Sequence, residues 1–332
     1  MVKYSVIIPV YNRPEEIVEL LESLTMQGLK DKMEVIVIED GSTNNCKKAI
    51  TPYDNQLNLK YYFQENKGPG LARNEGARHA KGKYLIFFDS DCIIPSNYLN
   101  RIEEYLNETP LDCYGGPDRE HSFFTPIQKA ISYAMTSPIT TGGIRGGKRK
   151  MDRFYPRSYN LGIKKEAFDL LNGFSDMRFG EDMDFSMRAI KKGLNVGLIE
   201  YAFVYHKRRS HFYAFFKQVF NSGVARIHLS LLHKRTLKPV HTLPALFTIF
   251  YPLLLIGGLL FQPILLLLFL LFPFIVFIDA WKRMNSFQVA VLSIFASTIQ
   301  LFGYGTGFIK AFWIRIIMRK GMFHNFMESF YD

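Results

Sequence analysis

The sequence predicts an α/β domain with a mostly parallel sheet, followed by a group of apolar helices. Two observations carry this prediction. Over the first 210 residues, short runs rich in β-branched residues alternate with segments of helical periodicity, which is typical of strands joined by helical crossovers. From residue 243 to residue 309 the chain is almost entirely apolar, and its only charged residues there are Asp279, Lys282 and Arg283.

Four strands are predicted in the first 90 residues. Leu59–Phe63 is the weaker one, and the others are compact apolar or β-branched runs typical of buried strands. The four are Tyr4–Val10, Met33–Ile38, Leu59–Phe63 and Tyr84–Phe88. Helices are predicted to begin at Pro14 and Pro69, since proline is favoured in the first turn of a helix. Farther along, the pattern predicts a strand or turn and then a helix in Asn160–Leu171, a helix in Glu181–Lys192, and short strands in Asn195–Ile199 and Ala202–Tyr205. Thr140–Lys150, which combines glycine and basic residues, is predicted to be a mobile loop.

Cysteine content and charge narrow the class of protein. The three cysteines, Cys46, Cys92 and Cys113, are odd in number and lack metal-ligand spacing, which favours free thiols in a reducing compartment. The first residues are too short an apolar run for a signal peptide, so we expect the α/β domain to be cytoplasmic. The net charge of +11 is concentrated before the apolar part, which favours an anionic lipid surface. Without a nucleic-acid motif, a nucleic-acid partner is not expected.

The apolar part is predicted to be a membrane domain. The aromatic and basic helix His211–Leu232 is typical of the headgroup region, so we divide the chain into residues 1–210, an interfacial region 211–240 and a membrane domain 241–332. Residues 243–278 form a helical hairpin with its turn at Gln262–Pro263, and basic residues on both flanks follow the positive-inside rule. Segment 287–309, before a basic tail, favours a further span. Its GYGTG sequence could break the helix, so a re-entrant segment is the alternative.

Two acidic residues follow the fourth predicted strand directly. Ligands of open parallel sheets bind at the carboxyl ends of the strands, where Asp89, Ser90 and Asp91 are expected. Two carboxylates so close together repel each other unless a cation is present. Mg²⁺ or Mn²⁺, shared with ligand phosphates, is the simplest candidate. The alternative is an ordinary solvated turn.

Other polar residues are predicted at the same edge of the sheet. Pro9, Tyr11 and Asn12 lie at the end of the first strand, and Asp40 ends the second. The segment from Gly68 to Arg73 places glycines and a cation near a helix N-terminus, which suits an anionic ligand. The glycines could equally serve as a helix cap.

Three later positions each have two interpretations. Glu181 and Asp182 open a helix. One of them could act as a general base, or both could be first-turn acids that interact favourably with the helix dipole. His206 follows a short strand and could be either a metal ligand or a structural residue. Arg208 could contact a diphosphate or simply belong to the membrane-surface charge.

The motifs taken together resemble the inverting glycosyltransferases of family 2, which have the GT-A fold, a Rossmann-like mostly parallel sheet. The resemblance covers about the first 210 residues. It rests on five segments in order, which are Pro9–Asn12, Glu39–Ser42, Asn66–Asn74, Asp89–Asp91 and Gly180–Asp182.

The resemblance implies roles for individual residues. Pro9, Tyr11, Asn12 and Asp40 would hold the nucleoside, with Asp40 on the base, and Gly68 and Arg73 would lie near the nucleotide. Asp91 would be the main metal ligand, Asp89 would contact the ribose or the metal beside Ser90, and His206 would be a third metal ligand. Asp182 would be the base, with Glu181 as the alternative, and Asn160 would line the sugar or acceptor pocket.

The implied function is transfer of one sugar from a UDP- or GDP-linked donor to a hydroxyl of a lipid-linked saccharide, dependent on Mg²⁺ or Mn²⁺. The expected location is a bacterial inner membrane, in a multi-pass protein whose catalytic domain is cytoplasmic. The Q-x-x-R-W motif of processive relatives is absent, which favours a single transfer over polymerisation. Two alternatives stay open. One is a polyprenyl-phosphate sugar synthase, whose phosphate acceptor needs no base, and the other is a non-catalytic nucleotide-binding scaffold in a membrane assembly.

Overall fold

A computed structural model describes residues 2–121, 123–141 and 154–323. These residues form two compact units. The first comprises residues 2–121 together with Phe154–Lys207, and the second comprises residues 123–141 and 208–323. The loop predicted over Thr140–Lys150 lies outside the described residues, apart from its first two positions, which end a short helix.

A seven-stranded sheet forms the centre of the first unit, with a three-stranded sheet beside it. The described strands are, in chain order, β1 (Tyr4–Val10), β2 (Met33–Asp40), β3 (Leu59–Gln64), β4 (Tyr84–Phe88), β5 (Cys92–Ile93), β6 (Cys113–Gly115), β7 (Asp118–Arg119), β8 (Asn160–Lys164), β9 (Val196–Leu198) and β10 (Val204–His206). The large sheet has the order β3-β2-β1-β4-β8-β6-β9. Strands β1 to β4 are parallel, and β8 is antiparallel to both neighbours. The predicted mostly parallel α/β sheet is therefore confirmed.

Helices cover both faces of this sheet. The described α-helices of the chain are α1 (Pro14–Thr25), α2 (Lys47–Ile50), α3 (Pro69–His79), α4 (Tyr98–Glu108), α5 (Pro126–Thr136), α6 (Pro138–Thr141), α7 (Lys165–Leu170), α8 (Glu181–Lys191), α9 (Phe212–Leu232), α10 (Leu243–Leu260), α11 (Ile264–Met284) and α12 (Phe287–Phe312). Alternate residues of β1 face opposite sides, so Val6 and Ile8 join one buried cluster with α1 and α4. Ile7 joins the other, with α3, α7 and α8.

The small sheet has the order β5-β10-β7 and was not predicted. Its strand β10 pairs antiparallel with β5, so that His206 lies opposite Cys92. The strand predicted at Ala202–Tyr205 is therefore observed slightly later, at Val204–His206. This pairing brings the end of the first unit's chain back to the residue that follows Asp91.

The second unit contains one segment that the predicted boundary at residue 210 assigned to the α/β domain. Helix α5 buries Ala130, Ile131 and Ala134 in one cluster with Phe215 of α9 and Val289 of α12. The segment 123–141 therefore belongs to the helical unit, because its apolar face is covered there.

Three helices of the second unit are long and apolar enough to cross a membrane. They are α10, α11 and α12, the last of which continues to Ile317 by this measure. Helix α11 reaches Met284, six residues beyond the predicted end at Ile278. Helix α12 is continuous through Gly303–Gly307, so the GYGTG sequence does not break it.

Candidate active site

The carboxyl ends of β1, β2 and β4 lie side by side at one edge of the large sheet. The parallel register pairs Val10 with Glu39 and Ile7 with Phe87, so the residues that follow these strands are neighbours. Asn12, Asp40 and Asp89 therefore lie at one edge, as the sequence predicts.

Asp40 is held by the chain's own backbone. Its side chain is buried, and its carboxylate accepts hydrogen bonds from the N–H groups of Lys67 and Gly68, both at 2.9 Å, and from Gln64 Nε2 at 2.6 Å. Gly68 adopts a φ of +91°, which favours glycine. These bonds fix the loop between β3 and α3 against the end of β2.

Asn12 ties the end of β1 to the turn after β2. Its backbone has a φ of +53°. Its Oδ1 accepts hydrogen bonds from Asn44 N at 3.0 Å and Thr43 Oγ1 at 3.1 Å, and its N–H donates to Ser42 Oγ at 2.7 Å. Pro9 lies within β1 opposite Ile38, and the half-buried Tyr11 follows it. The predicted nucleoside-binding residues thus share one corner of the edge.

Arg73 joins two of the predicted acidic residues. Its guanidinium is buried and lies 2.5 Å from Asp89 Oδ1 and 3.0 Å from Glu181 Oε1. A Cβ on Gly70 would lie 3.1 Å from Glu181 Cγ and 3.0 Å from the Ser175 carbonyl, so glycine lets α3 begin directly against the start of α8. The strand end of β4 and the first turn of α8, about 90 residues apart in the chain, therefore meet.

Asp91 lies between two groups that can be cationic. Its Oδ1 is 3.1 Å from His206 Nε2, and its Oδ2 is 3.1 Å from an Arg13 Nη. The backbone N–H of Lys207 donates to the Asp91 carbonyl at 3.0 Å. The His206 ring stacks on Tyr159 at 4.7 Å between ring centroids, which fixes its plane. The predicted pair of metal ligands is thus brought together.

The donor set at this point fits a divalent cation. Among the described residues, Asp91, Cys92 and His206 offer ligand atoms that all lie within 4.8 Å of one another. The Cys92 thiol is fully buried and donates to the Tyr159 carbonyl at 3.6 Å. One carboxylate and one imidazole therefore remain as donors, a set that suits Mn²⁺, or Mg²⁺ completed by phosphate oxygens and water.

Glu181 and Asp182 have different surroundings although they are adjacent. Burial, together with the nearby Asp182 carboxylate, raises the pKa of Glu181 to about 7, while Arg73 opposes this shift. Asp182 Oδ2 lies 2.7 Å from Arg157 Nε, and Asp182 Oδ1 accepts the N–H of Met183 at 2.7 Å. The acidic pair thus contains one carboxyl tied to Arg73 and one tied to Arg157.

The remaining predicted residues lie in other surroundings. Asn160 is fully buried, and its amide bonds to Tyr98 Oη at 2.5 Å and the Ala202 carbonyl at 2.8 Å, so its side chain serves the interior of the fold. Its backbone pairs with Phe88, next to Asp89. Ser90 is buried. Arg208 belongs to the second unit, where its carbonyl accepts a hydrogen bond from Gln128 Nε2 at 2.9 Å.

Two arginines of the site were not predicted. Arg13 directly follows Asn12 and precedes α1, and its contact with Asp91 could have been suspected from its position at the end of β1. Burial lowers the pKa of Arg13, but the carboxylates of Asp91 and Glu16 outweigh it, so the pKa is raised. Arg157 lies in an irregular segment before β8, and no local pattern relates it to Asp182.

The chain is similar to known sugar-transfer proteins over this region. Residues 5–170 match the family model for glycosyl transferase family 2. The poly(ribitol-phosphate) beta-N-acetylglucosaminyltransferase TarS of Staphylococcus aureus is 39% identical over 111 residues, which are 32% of this chain and 19% of TarS. Glycosyltransferase AglE of Haloferax volcanii is 28% identical over 246 residues, which are 72% of this chain and 78% of AglE. The chain spans less than a fifth of the length of TarS and of an uncharacterised Rickettsia felis glycosyltransferase that it also matches.

Solved structures share the fold over nearly the whole chain. The mannosyltransferase PcManGT from Pyrobaculum calidifontis, in complex with GDP-Man and Mn²⁺, has a TM-score of 0.58 and 20% identity, and the alignment covers 94% of this chain and 88% of that one. Residues 1–349 of S. aureus TarS give a TM-score of 0.50 with 19% identity, covering 98% and 95%. The first unit therefore has the GT-A fold that the sequence predicts.

Proposed function

This chain belongs to glycosyl transferase family 2, and from that premise we propose that it is a membrane-attached inverting glycosyltransferase. It moves one sugar from a nucleotide-sugar to a hydroxyl of a lipid-linked saccharide. The observation that carries this proposal is the chain of charges at the sheet edge, in which Arg73 joins Asp89 to Glu181 while Asp91 lies beside His206.

The donor binds where the parallel strands end. The nucleoside lies over the corner formed by Asn12 and Asp40, and the diphosphate extends towards Asp91. Asp91 and His206 would hold a divalent cation, Mg²⁺ or Mn²⁺, whose charge would neutralise the leaving nucleoside diphosphate. Arg13 orients the Asp91 carboxylate for that purpose, and Arg73 orients Asp89 towards the ribose. The UDP- and GDP-linked sugars are the candidate donors.

Asp182 serves as the general base. It accepts the proton of the acceptor hydroxyl while the hydroxyl oxygen attacks the anomeric carbon, and the bond from that carbon to the diphosphate oxygen breaks. Attack from the face opposite the diphosphate inverts the configuration. The bonds from Arg157 Nε and Met183 N hold the carboxylate in place beforehand. Glu181 is the alternative base, because its pKa of about 7 suits proton transfer near neutral pH.

The second unit supports a lipid-linked acceptor. Its three helices of membrane-spanning length and apolar composition keep the enzyme at the surface where such an acceptor lies. The proposed location is a bacterial inner membrane with the first unit in the cytoplasm, where nucleotide-sugars are made. A single transfer, not polymerisation, is the proposed outcome.

The test is a screen of UDP- and GDP-linked sugars with the full chain purified in detergent. We expect one donor to be hydrolysed slowly when Mn²⁺ or Mg²⁺ is added, and EDTA to stop the reaction. Adding lipid extract that contains polyprenyl-linked saccharides should accelerate donor consumption and yield a product of inverted anomeric configuration. Binding of a donor without hydrolysis or transfer would favour a non-catalytic nucleotide-binding scaffold. Absence of binding for every donor, or a retained anomeric configuration, would contradict the proposal.

A further inference from the structure

Within the second unit, the last apolar helix packs across the preceding helical hairpin. The first turns of α12 lie on the end of α11, where the rings of Phe287 and Phe277 are 5.6 Å apart. Farther along α12, the Phe302 ring lies 5.6 Å from Phe247, in the first turns of α10. Helix α12 therefore contacts both arms of the hairpin.

Both contacts lie at the open end of the hairpin, opposite its turn. Between the two arms, the rings of Phe247 and Phe272 are tilted against each other with centroids 4.9 Å apart, and Tyr251 Oη donates to the Phe269 carbonyl at 3.0 Å. The beginning of α10 is therefore level with the middle of α11. Helix α12 passes from one arm to the other without approaching the turn at Gln262.

This packing differs from that expected of three consecutive antiparallel membrane spans. If α12 ran antiparallel to α11, Gly305 would lie 18 residues (305 − 287) beyond Phe287, about 27 Å along the helix and beside the hairpin turn. Instead, a Cβ on Gly305 would lie 2.0 Å from Thr248 Oγ1 and 2.4 Å from the Pro244 carbonyl oxygen. The glycine permits α12 to cross directly over the start of α10.

Helix α9 lies along the other side of α12 and runs parallel to it. A Cβ on Gly303 would lie 2.4 Å from Val219, and one on Gly307 would lie 2.1 Å from the Phe220 carbonyl oxygen. The same contacts explain why 39% of the apolar window of α12 is buried, against 11% for α10 and for α11. We refer to Phe212–Leu232 and Phe287–Phe312 together as the platform.

The hairpin extends only a short distance past the platform. Beyond Tyr251, α10 has the nine residues Pro252–Leu260 (260 − 252 + 1), or about 14 Å of helix. The hydrocarbon core of a bilayer is about 30 Å thick. The exposed side chains at the tip are apolar except for Gln262, with Leu260 at 69% and Phe261 at 76% exposure. The tip thus fits within roughly one leaflet.

The backbone of the turn suits hydrocarbon as well. The N–H groups of Phe261 and Gln262 donate to the Gly257 carbonyl at 2.9 and 3.0 Å. Those of Leu265 and Leu266 donate to the carbonyls of the two residues at the turn, each at 3.0 Å, and Pro263 has no N–H to satisfy. A turn in a bilayer must satisfy its donors internally, since water is absent there.

We propose that the second unit is a monotopic anchor in which the platform lies at the surface of one leaflet and the hairpin dips into that leaflet without crossing the bilayer. The partner of its apolar surface is the acyl region of an anionic leaflet. This arrangement keeps every basic cluster on one side, where anionic headgroups attract it. The clusters are Lys234, Arg235 and Lys238, then Lys282 and Arg283, and then Lys310, Arg315, Arg319 and Lys320. Three spans would place the last cluster on the opposite side, against the positive-inside rule.

Single added cysteines test this proposal independently of the catalytic function. The native cysteines are buried, so a membrane-impermeant maleimide should not label the unmodified chain. The variants are Lys234→Cys, Gln262→Cys and Lys320→Cys, all at exposed positions whose substitution should leave the fold intact. Each is expressed in bacterial membranes and labelled in sealed right-side-out and inside-out vesicles, with detergent-solubilised protein as the positive control.

We expect Lys320→Cys to be labelled in the same vesicle orientation as Lys234→Cys. Gln262→Cys should not be labelled in vesicles of either orientation and should be labelled after detergent is added. Labelling of Gln262→Cys from either side would overturn the proposal, because the tip would then lie in water. Labelling of Lys320→Cys only from the side opposite Lys234→Cys, or from neither side, would also overturn it.

Discussion

Two acidic turns at the same edge of the sheet use their carboxylates in opposite ways. In the turn that begins with the last two residues of β2, Glu39 and Asp40 are buried and accept hydrogen bonds from the backbone N–H groups of Cys46, Lys67 and Gly68. In the turn after β4, Asp89 and Asp91 contact the side-chain groups of Arg73, Arg13 and His206. The first turn is bound into the fold, and the second is bound by charges that a ligand can rearrange.

The two sets of contacts distinguish acidic residues that stabilise the fold from those that can act on a ligand. A carboxylate that satisfies buried backbone donors leaves them unpaired when it is removed, at a cost in stability. A carboxylate facing side-chain cations can exchange them for a metal or a substrate group. We therefore expect substitutions in the first turn to lower stability, and those around the second turn, including Asp182 and Arg157, to lower activity.

Apart from the loss of Asp91, the largest effect is expected for Asp182→Asn. Loss of the base should slow transfer by about 10²- to 10⁴-fold while donor binding is retained. Steady-state rates and binding of the nucleoside diphosphate measure the two properties. Asp184→Asn is the matched control, since Asp184 pairs with Arg188 at 2.9 Å in the same turn of α8 and should affect stability more than rate. Unchanged turnover in Asp182→Asn would move the base to Glu181 or favour a polyprenyl-phosphate acceptor that needs none.

A smaller effect is expected for His206→Ala. Removing one of two protein ligands should raise the Mn²⁺ concentration for half-maximal rate by about 10- to 100-fold, with recovery at high Mn²⁺. His121→Ala is the control, because His121 packs against Tyr205, the residue before His206 on β10, at 4.6 Å between ring centroids. Equal Mn²⁺ requirements in the two variants would assign His206 to structure alone.

Substitution of Asp40 in the first turn should lower the stability of the first unit. Asp40→Ala leaves the N–H groups of Lys67 and Gly68 without their acceptor, and should lower the free energy of unfolding of the first unit by about 1–3 kcal/mol. Asp89→Ala should cost less, because Arg73 keeps Glu181 as a partner. Denaturant unfolding measures both, with the exposed Asp54→Asn as a baseline. If Asp89→Ala were the more destabilising variant, the comparison between the two turns would fail.

The smallest effect is expected in the pH dependence of folding stability. The pKa of Glu181 is raised to about 7 from an ordinary value of 4.5, so the folded state binds more protons than the unfolded state between these values. Stability from this group is therefore full below pH 4.5 and is lost as the pH rises towards 7. Unfolding temperatures between pH 5 and 8 should fall less steeply in Glu181→Gln than in the unmodified chain. Identical slopes would contradict the assignment.

Much of the first unit follows from the sequence because its signals are local. The four strands, the prolines that open α1 and α3 and the order of the acidic motifs depend on residues close in the chain. The contacts of Arg13 with Asp91 and of Arg157 with Asp182 depend on segments 78 and 25 residues apart (91 − 13 and 182 − 157), which no periodicity encodes. The small sheet that brings His206 opposite Cys92 is another such long-range pairing.

In the second unit, the sequence predicts helices but not how they pack. Hydropathy alone favours a span for residues 287–309. The glycines of GYGTG, which suggested a broken helix, instead allow close contact of a continuous α12 with α9 and α10. Composition records that a segment is apolar and does not record which neighbour covers it.

The proposed binding of a catalytic cation by Asp91 can be tested by the Mn²⁺ dependence of donor turnover in Asp91→Ala beside the unmodified chain. We expect a folded variant, by circular dichroism, with no turnover at any Mn²⁺ concentration that saturates the unmodified chain. A near-normal rate across the same range of Mn²⁺ would show that Asp91 is not the metal ligand.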